Sequence, residues 1–251
     1  MTEAPLSIEE VPEVGPLYAP AGSAAVPTVM ILHGAEGAGS GWSHRFAAIL
    51  AAHGFGAVPY TYGEGDFFGA GDIRDVDIAV ILRAGERLAS HPRVADLGLL
   101  GWSRGGELAM LLGALGGADL PYNAIAAHAP ADHVHGAFDA AAFRSGGPME
   151  TDDPDAPRAW VWQGHESALT PGTPIAIEHY TGPLFLSVGD ADGVWDHRMT
   201  LNLAERRRAH GQPVELWVAG GQGHAFDFST EPELWARLTR FFSTHLAPGA
   251  A

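Results

Sequence analysis

Residues 96–107 read DLGLLGWSRGGE, and they decide the fold. The run 96–101 (DLGLLG) is apolar and of strand length, and 104–115 (RGGELAMLLGAL) is a helix-forming stretch that ends at the glycine pair 116–117. A buried strand therefore passes into a helix within two residues, Trp102 and Ser103. Glycines at 101 and 105 flank that turn and remove side chains that would collide where the two elements meet.

The same alternation extends both ways. Residues 27–32 (PTVMIL) and 56–62 upstream, and 123–128 (NAIAAH), 183–188 (PLFLSV) and 213–218 (PVELWV) downstream, read as short buried strands. Helices are expected over 42–53, 72–90, 196–210 and 231–246. The second places Ile73, Val76, Val80, Ile81, Ala84 and Leu88 on one face behind Asp72 as N-cap, and Thr230 with Glu233 forms a capping box for the last. The helix over 196–210 ends in Arg206, Arg207, Arg208 and His210 before Gly211, a solvated cationic end that suits the helix dipole. Residues 1–26 are acidic and Pro-rich, with room for edge strands near 7–11 and 16–18. Strands alternating with helices predict an α/β fold: a mostly parallel central sheet with helices on both faces, in a single domain over 1–251. Residues 130–175 break the rhythm and are expected to form a loop-rich partial lid over the carboxyl edge of the sheet. A disordered surface insert carrying Glu150, Asp152, Asp153 and Asp155 is the competing reading. Trp160 and Trp162 within it either line a pocket or pack it onto the core.

Composition narrows the chemistry. The 251 residues include 30 acidic and 14 basic side chains, for a net charge of −16; every basic one is arginine, and there is no cysteine. Disulfides, zinc ribbons, iron–sulfur clusters and thiol nucleophiles are excluded, as are Schiff-base and Ser–Lys chemistries. The charge opposes nucleic acid and anionic membrane surfaces as partners. No apolar run approaches 18 residues, and the acidic N-terminus lacks the features of a signal peptide, so a cytoplasmic protein is expected. The pair His133 and His135 beside Asp132 resembles a metal half-site but has no third fixed ligand, and neither a metal nor a cofactor is expected.

Gly101-Trp102-Ser103-Arg104-Gly105 is a G-x-S-x-G, a pattern that chance alone would produce roughly 0.2 times in this composition. Its position between strand and helix makes it a candidate nucleophile elbow, with the Ser103 hydroxyl projecting above the sheet. A serine needs a base, and the base needs a carboxylate. His224 follows the strand 213–218 in the loop GGQGH, and Asp190 and Asp192 follow 183–188. Asp192, farther round its turn, is the better placed to meet the histidine, while Asp190 suits local backbone amides. The backbone N–H groups of Ala35, in the loop HGAEG, and of Arg104, at a helix start, are candidate oxyanion donors. Glu36 is better suited to a structural pairing than to catalysis, since a carboxylate opposes a nearby oxyanion.

The stretches VMILHGAEG, LLGWSRGGELAMLL, GPLFLSVGDADGVW and GGQGHAF together resemble the α/β-hydrolase superfamily. They are most similar to dienelactone-hydrolase-like esterases and to the catalytic domain of acyl-CoA thioesterases and bile-acid-CoA amino-acid acyltransferases. The similarity runs from about residue 27 to 242. It implies Ser103 as nucleophile, Asp192 as acid and His224 as base, in a hydrolase of a small ester or thioester. Dienelactone hydrolases use a cysteine nucleophile, which this chain lacks. The mammalian thioesterases and acyltransferases carry an N-terminal β-domain, for which 26 residues are too few. The charge disfavours a CoA thioester. An acyltransferase using the same three residues is the alternative activity, and a non-catalytic acyl-ligand binding protein the remote one. The sequence sets no oligomeric state.

Overall fold

The computed structural model describes residues 5–63, 72–147 and 151–248. Along them run β1 (Leu6–Val11), β2 (Gly15–Pro20), β3 (Val26–Leu32), α1 (Trp42–Ala52), β4 (Gly56–Tyr60), β5 (Val76–Asp77), α2 (Ile78–Ala89), β6 (Val94–Trp102), α3 (Arg104–Leu115) and β7 (Ala124–His128). They are followed by α4 (Ala140–Arg144), β8 (Trp160–Val161), β9 (Leu184–Gly189), α5 (Arg198–Ala209), β10 (Glu215–Ala219) and α6 (Glu231–His245).

Eight strands make one sheet in the order β1-β2-β4-β3-β6-β7-β9-β10. The β1–β2 hairpin is antiparallel and joins β4 in the same sense, and the pairs from β4 to β10 are parallel. The inner parallel strands β3, β4, β6, β7 and β9 are buried on both faces, as their apolar runs require, while β10 at the edge is partly exposed. Alternation still sorts their side chains. Val29, Ile31, Leu100 and Trp102 pack with α1 and α6, whereas Met30, Leu32, Leu97 and Leu99 pack with α2, α3 and α5. Parallel strands all end at one edge of the sheet, so the loops that follow β3, β6, β9 and β10 are gathered there. Among the described residues no helix is long and apolar enough to cross a membrane.

The structure differs from the sequence reading at two helix starts, one set by a tertiary contact and one by a competing local cap. Helix α2 starts at Ile78, not near 72, and its cap is Asp77, whose carboxylate accepts from the Ala79 amide at 2.9 Å. The residues before it are drawn into pairing, Ile73 with Phe138 and β5 with β8. Asp72 instead accepts from the Ala140 amide at 3.1 Å, and Val80, expected on the buried face, is exposed. The Thr230–Glu233 capping box does not form. Asp227 accepts the amides of Ser229 and Thr230, and Glu233 pairs with Arg237.

Residues 130–147 and 151–175 are packed and hydrogen-bonded rather than loose; 148–150, which include Glu150, lie outside the described residues. Val134, Phe138, Trp160, Leu169 and Ile175 join the core, and bridges tie His133 to Pro174 and Gly136 to Arg158. Trp160 is fully buried and Trp162 packs partly against the core, so this segment supplies core volume.

The arginine triplet also departs from expectation. Arg208 is exposed, but Arg207 has no solvent exposure. Its guanidinium donates to the carbonyls of Tyr180, Gly182 (2.9 Å) and Pro213 (2.7 Å), gathering the segments that lead into β9 and β10. Truncation would take the donor from three carbonyls, that of Tyr180 buried and those of Gly182 and Pro213 partly so. Arg207→Ala is expected to lower the unfolding free energy in urea titration by about 3 kcal/mol or more, with Arg208→Ala within about 0.5 kcal/mol of the parent.

Candidate active site

Ser103 stands at the junction of β6 and α3 with φ 54° and ψ −118°, a conformation that costs a non-glycine residue about 1–3 kcal/mol. The surroundings hold it there. Its amide donates to the His128 carbonyl at 2.9 Å, and its carbonyl accepts from the Glu107 amide at 2.9 Å in the first turn of α3. A Cβ at Gly101 would run into the Gly105 carbonyl, and one at Gly105 into the carbonyls of Leu32 and His33. The turn is therefore as sharp as the motif implies, and Ser103 is left 5% exposed. Arg104 is the first residue of α3, and its amide is one of those without an intrahelical acceptor.

The loop after β3 closes against this junction. The Gly37 amide donates to the Gly34 carbonyl at 3.2 Å, so Ala35 lies inside a tight turn. A Cβ on Gly34 would sit 3.0 Å from Ser103 Cβ and would collide with the Glu36 carboxylate, so both side chains crowd over the same bare Cα. His33 anchors the turn. Its Nδ1 bonds the Gly34 carbonyl at 2.8 Å, its ring stacks on Tyr62 at 4.0 Å, and the Tyr62 hydroxyl donates to the His33 carbonyl. Burial drives the His33 pKa down to about 4 against the pull of that carbonyl bond, so the ring is neutral near pH 7.

Asp192 and His224 meet directly. Asp192 Oδ2 lies 2.7 Å from His224 Nδ1, while Oδ1 accepts the amides of Val194 (2.8 Å) and Trp195 (3.0 Å). Burial raises the Asp192 carboxyl, but the His224 hydrogen bond and charge, with the two amides, outweigh it and hold the group below its ordinary value. An ionised Asp192 accepts the Nδ1 proton and leaves Nε2 as the basic nitrogen of the ring. Asp190 turns to the Gly221 amide at 2.6 Å, so of the two aspartates Asp192 is the one that reaches the histidine.

His224 also lines a cleft of about 180 Å³ with Glu36, Trp42, Phe46, Trp102 and Ala225. Three aromatic side chains make its walls, and Trp42 is 39% exposed at its edge. Glu36 Oε1 accepts from the Gly34 amide at 2.9 Å, the structural pairing favoured from sequence.

A buried polar residue beside the site, Glu107, is not singled out by the sequence reading. Glu107 has no solvent exposure. It accepts from Trp160 Nε1 at 2.7 Å and the His135 amide at 2.9 Å, and lies 3.0 Å from Arg104 Nη1 and 3.3 Å from His135 Nδ1. Arg104 donates to the Gly136 carbonyl at 2.9 Å and lies over the Trp160 ring. His135 stacks on Trp195 at 4.9 Å between ring centres, and Trp195 meets His224 edge-on at 6.1 Å. His133 pairs with Asp132 at 2.7 Å, so His133 and His135 each face a different carboxylate. The sequence signal for Glu107 is a lone charge inside the apolar run GGELAMLL.

The sequence matches no protein-family model and no curated protein. Solved structures do resemble it. An α/β hydrolase from a Medee basin deep-sea metagenome library shares 15% identity at a TM-score of 0.64, over 96% of this chain and 99% of the other. Est1E from Butyrivibrio proteoclasticus, solved with ferulic acid bound, shares 20% identity at 0.60, over 96% and 94%. Dipeptidyl peptidase 4 from Porphyromonas gingivalis shares 17% at 0.63 over 96% of this chain, which spans only 35% of that longer protein. The likeness shows the fold: this chain has the α/β-hydrolase fold.

Burial, the largest influence on Glu36, raises its carboxyl above the ordinary value, against the amides of Gly34 and Glu36 itself and the charge of His224. A pKa raised on folding gives stability that is present below the unfolded pKa and lost as pH rises through the folded one. Glu36→Gln keeps the Gly34 contact without the charge. Its melting temperature relative to the parent is expected to rise as pH climbs through the carboxylate range, read by calorimetry from pH 4 to 8.

Proposed function

We propose that the chain is a serine hydrolase that cleaves carboxylic esters or thioesters of small acyl groups through an acyl-enzyme. The observation that carries this reading is the 2.7 Å contact between Asp192 and His224, at the same sheet edge as a serine held at φ 54°. Ser103 attacks the carbonyl carbon as His224 Nε2 takes its proton. Asp192 keeps the imidazole in the Nδ1–H form and stabilises the imidazolium that forms. The amides of Ala35 and Arg104 receive the oxyanion. The leaving alcohol or thiol takes the proton back from His224, and water then repeats the sequence on the acyl-enzyme.

The cleft supports one substrate class. A volume of about 180 Å³ walled by Trp42, Phe46 and Trp102 suits a compact, apolar acyl group, and a flat aromatic one best. The ferulic acid bound to Est1E is consistent with that preference. Glu36 in the wall and the net charge of −16 work against acyl-CoA, whose phosphates are anionic.

A fluorophosphonate probe is expected to label the protein, and Ser103→Ala to abolish labelling. Asp192→Asn should slow labelling by roughly three to four orders of magnitude, whereas Asp190→Asn should stay within about tenfold of the parent. Full labelling of the Ser103→Ala protein would sink the assignment. Among 4-nitrophenyl esters of rising chain length, short and aromatic acyl groups should turn over fastest and exceed matched CoA thioesters; a strong preference for the thioesters would reverse the substrate ranking.

A further inference from the structure

His128 ends β7, paired with Trp102 on β6, and its side chain is 1% exposed. No step of the proposed reaction uses it, yet both ring nitrogens are engaged. Nε2 lies 2.8 Å from the backbone carbonyl of His224, and Nδ1 lies 2.9 Å from the hydroxyl of Ser187, its neighbour across the β7–β9 pair. The ring stacks on Trp102 at 3.9 Å between centres and is met edge-on by Phe226 at 4.6 Å.

The hydrogen-bond chemistry fixes the proton. A carbonyl only accepts, so Nε2–H must be the donor to His224. Burial, helped by the charge of His224, drives the His128 pKa down to about 3, although the His224 carbonyl and Asp192 pull the other way. The ring is therefore neutral at working pH, Nδ1 is bare, and the Ser187 hydroxyl donates to it. No polar atom of the ring is left unpaired, and only one tautomer satisfies both partners.

His224 needs such support because its loop, GGQGH, has three glycines in the four residues before it. Asp192 holds the ring through Nδ1 but not the backbone that carries it. The His128 bond fixes that backbone from a different strand. We propose that His128, oriented by Ser187, is a positioning residue: its Nε2–H bond to the His224 carbonyl holds the loop of the general base so that the imidazole keeps its line between Asp192 and Ser103. The proposal rests on the roles given above to Ser103, Asp192 and His224.

Its neutrality matters as well, since a second imidazolium there would weaken His224 as a base. Among the described residues, the titratable groups influencing His128 are His224 and Asp192, and those facing His224 are Asp192, Glu36 and His128.

Three variants test the proposal. His128→Phe keeps a ring between Trp102 and Phe226 but has no N–H. His128→Gln restores a donor near the Nε2 position. Ser187→Ala removes the group that orients the ring. Each is checked for a folded melt, then assayed with 4-nitrophenyl acetate and fluorophosphonate across pH 5–9. His128→Phe is expected to lower kcat on the order of 10- to 100-fold, the cost of a base displaced by a fraction of an ångström to an ångström, with KM within about twofold. His128→Gln should recover much of that loss, and Ser187→Ala should shift the pH profile with a smaller fall in kcat. Equal damage from Phe and Gln, or unchanged kcat in Phe, would overturn the proposal; if Phe does not fold, an unchanged kcat and pH profile in Ser187→Ala does so. Proton NMR separates this from failure of the functional reading, because it needs no turnover. The downfield Nδ1 proton of His224 on Asp192 should be sharp in the parent and in Ser103→Ala, broadened in His128→Phe and restored in His128→Gln. If the parent turns over no ester, that spectrum alone decides, and a sharp signal in His128→Phe refutes the positioning role.

Discussion

A carboxylate and a guanidinium without solvent exposure, Glu107 and Arg104, lie in the first turn of α3, directly behind Ser103. Isolated, each would cost several kcal/mol to bury, and their mutual contact alone does not satisfy the lone pairs and N–H groups they bring. Part of what is missing comes from His135, Gly136 and Trp160, which supply two amide or indole donors, an imidazole and a carbonyl, while Arg104 Nε is left without a hydrogen-bond partner. The segment between β7 and β9 thus offsets much of the cost of burying an ion pair under Ser103.

The other half of the site obeys a different constraint, the polarity of the sheet. Because β3, β6, β9 and β10 are parallel, their loops converge at one edge although they are separated by up to about 190 residues in the chain. Within that convergence the backbone does much of the work. Gly34 lets the β3 loop touch Ser103, Gly105 lets α3 approach β3, and two amides hold Asp192 Oδ1. Neutral histidines brace two of the loops from beneath, His33 under the turn that carries Ala35 and His128 under the one that carries His224.

Much of this was legible in the sequence. The strand–Gly-x-Ser-x-Gly–helix pattern and the short apolar runs gave the sheet and the order of the site residues, since a doubly buried strand can hardly be written otherwise. The choice of Asp192 over Asp190 rested on reach and on the Ser–acid–His order, and in the structure Asp192 meets His224 while Asp190 meets the Gly221 amide. What stayed hidden was whatever depends on partners far off in the chain. Nothing local tells that Arg207 is buried while Arg208 is not, that Asp77 rather than Asp72 caps α2, or that Trp160 faces a carboxylate 53 residues away. Buried polar groups are the least readable class, because the same letters on a surface would be unremarkable and only the tertiary fold removes their water.

The φ of 54° at Ser103 carries a cost in stability. Strain at that seat would be relieved by glycine, which occupies the region at no steric cost. Serine there destabilises the chain that carries it. On the reading proposed above, that strain is the cost of presenting the Ser103 hydroxyl, carried in the backbone rather than in any side-chain contact.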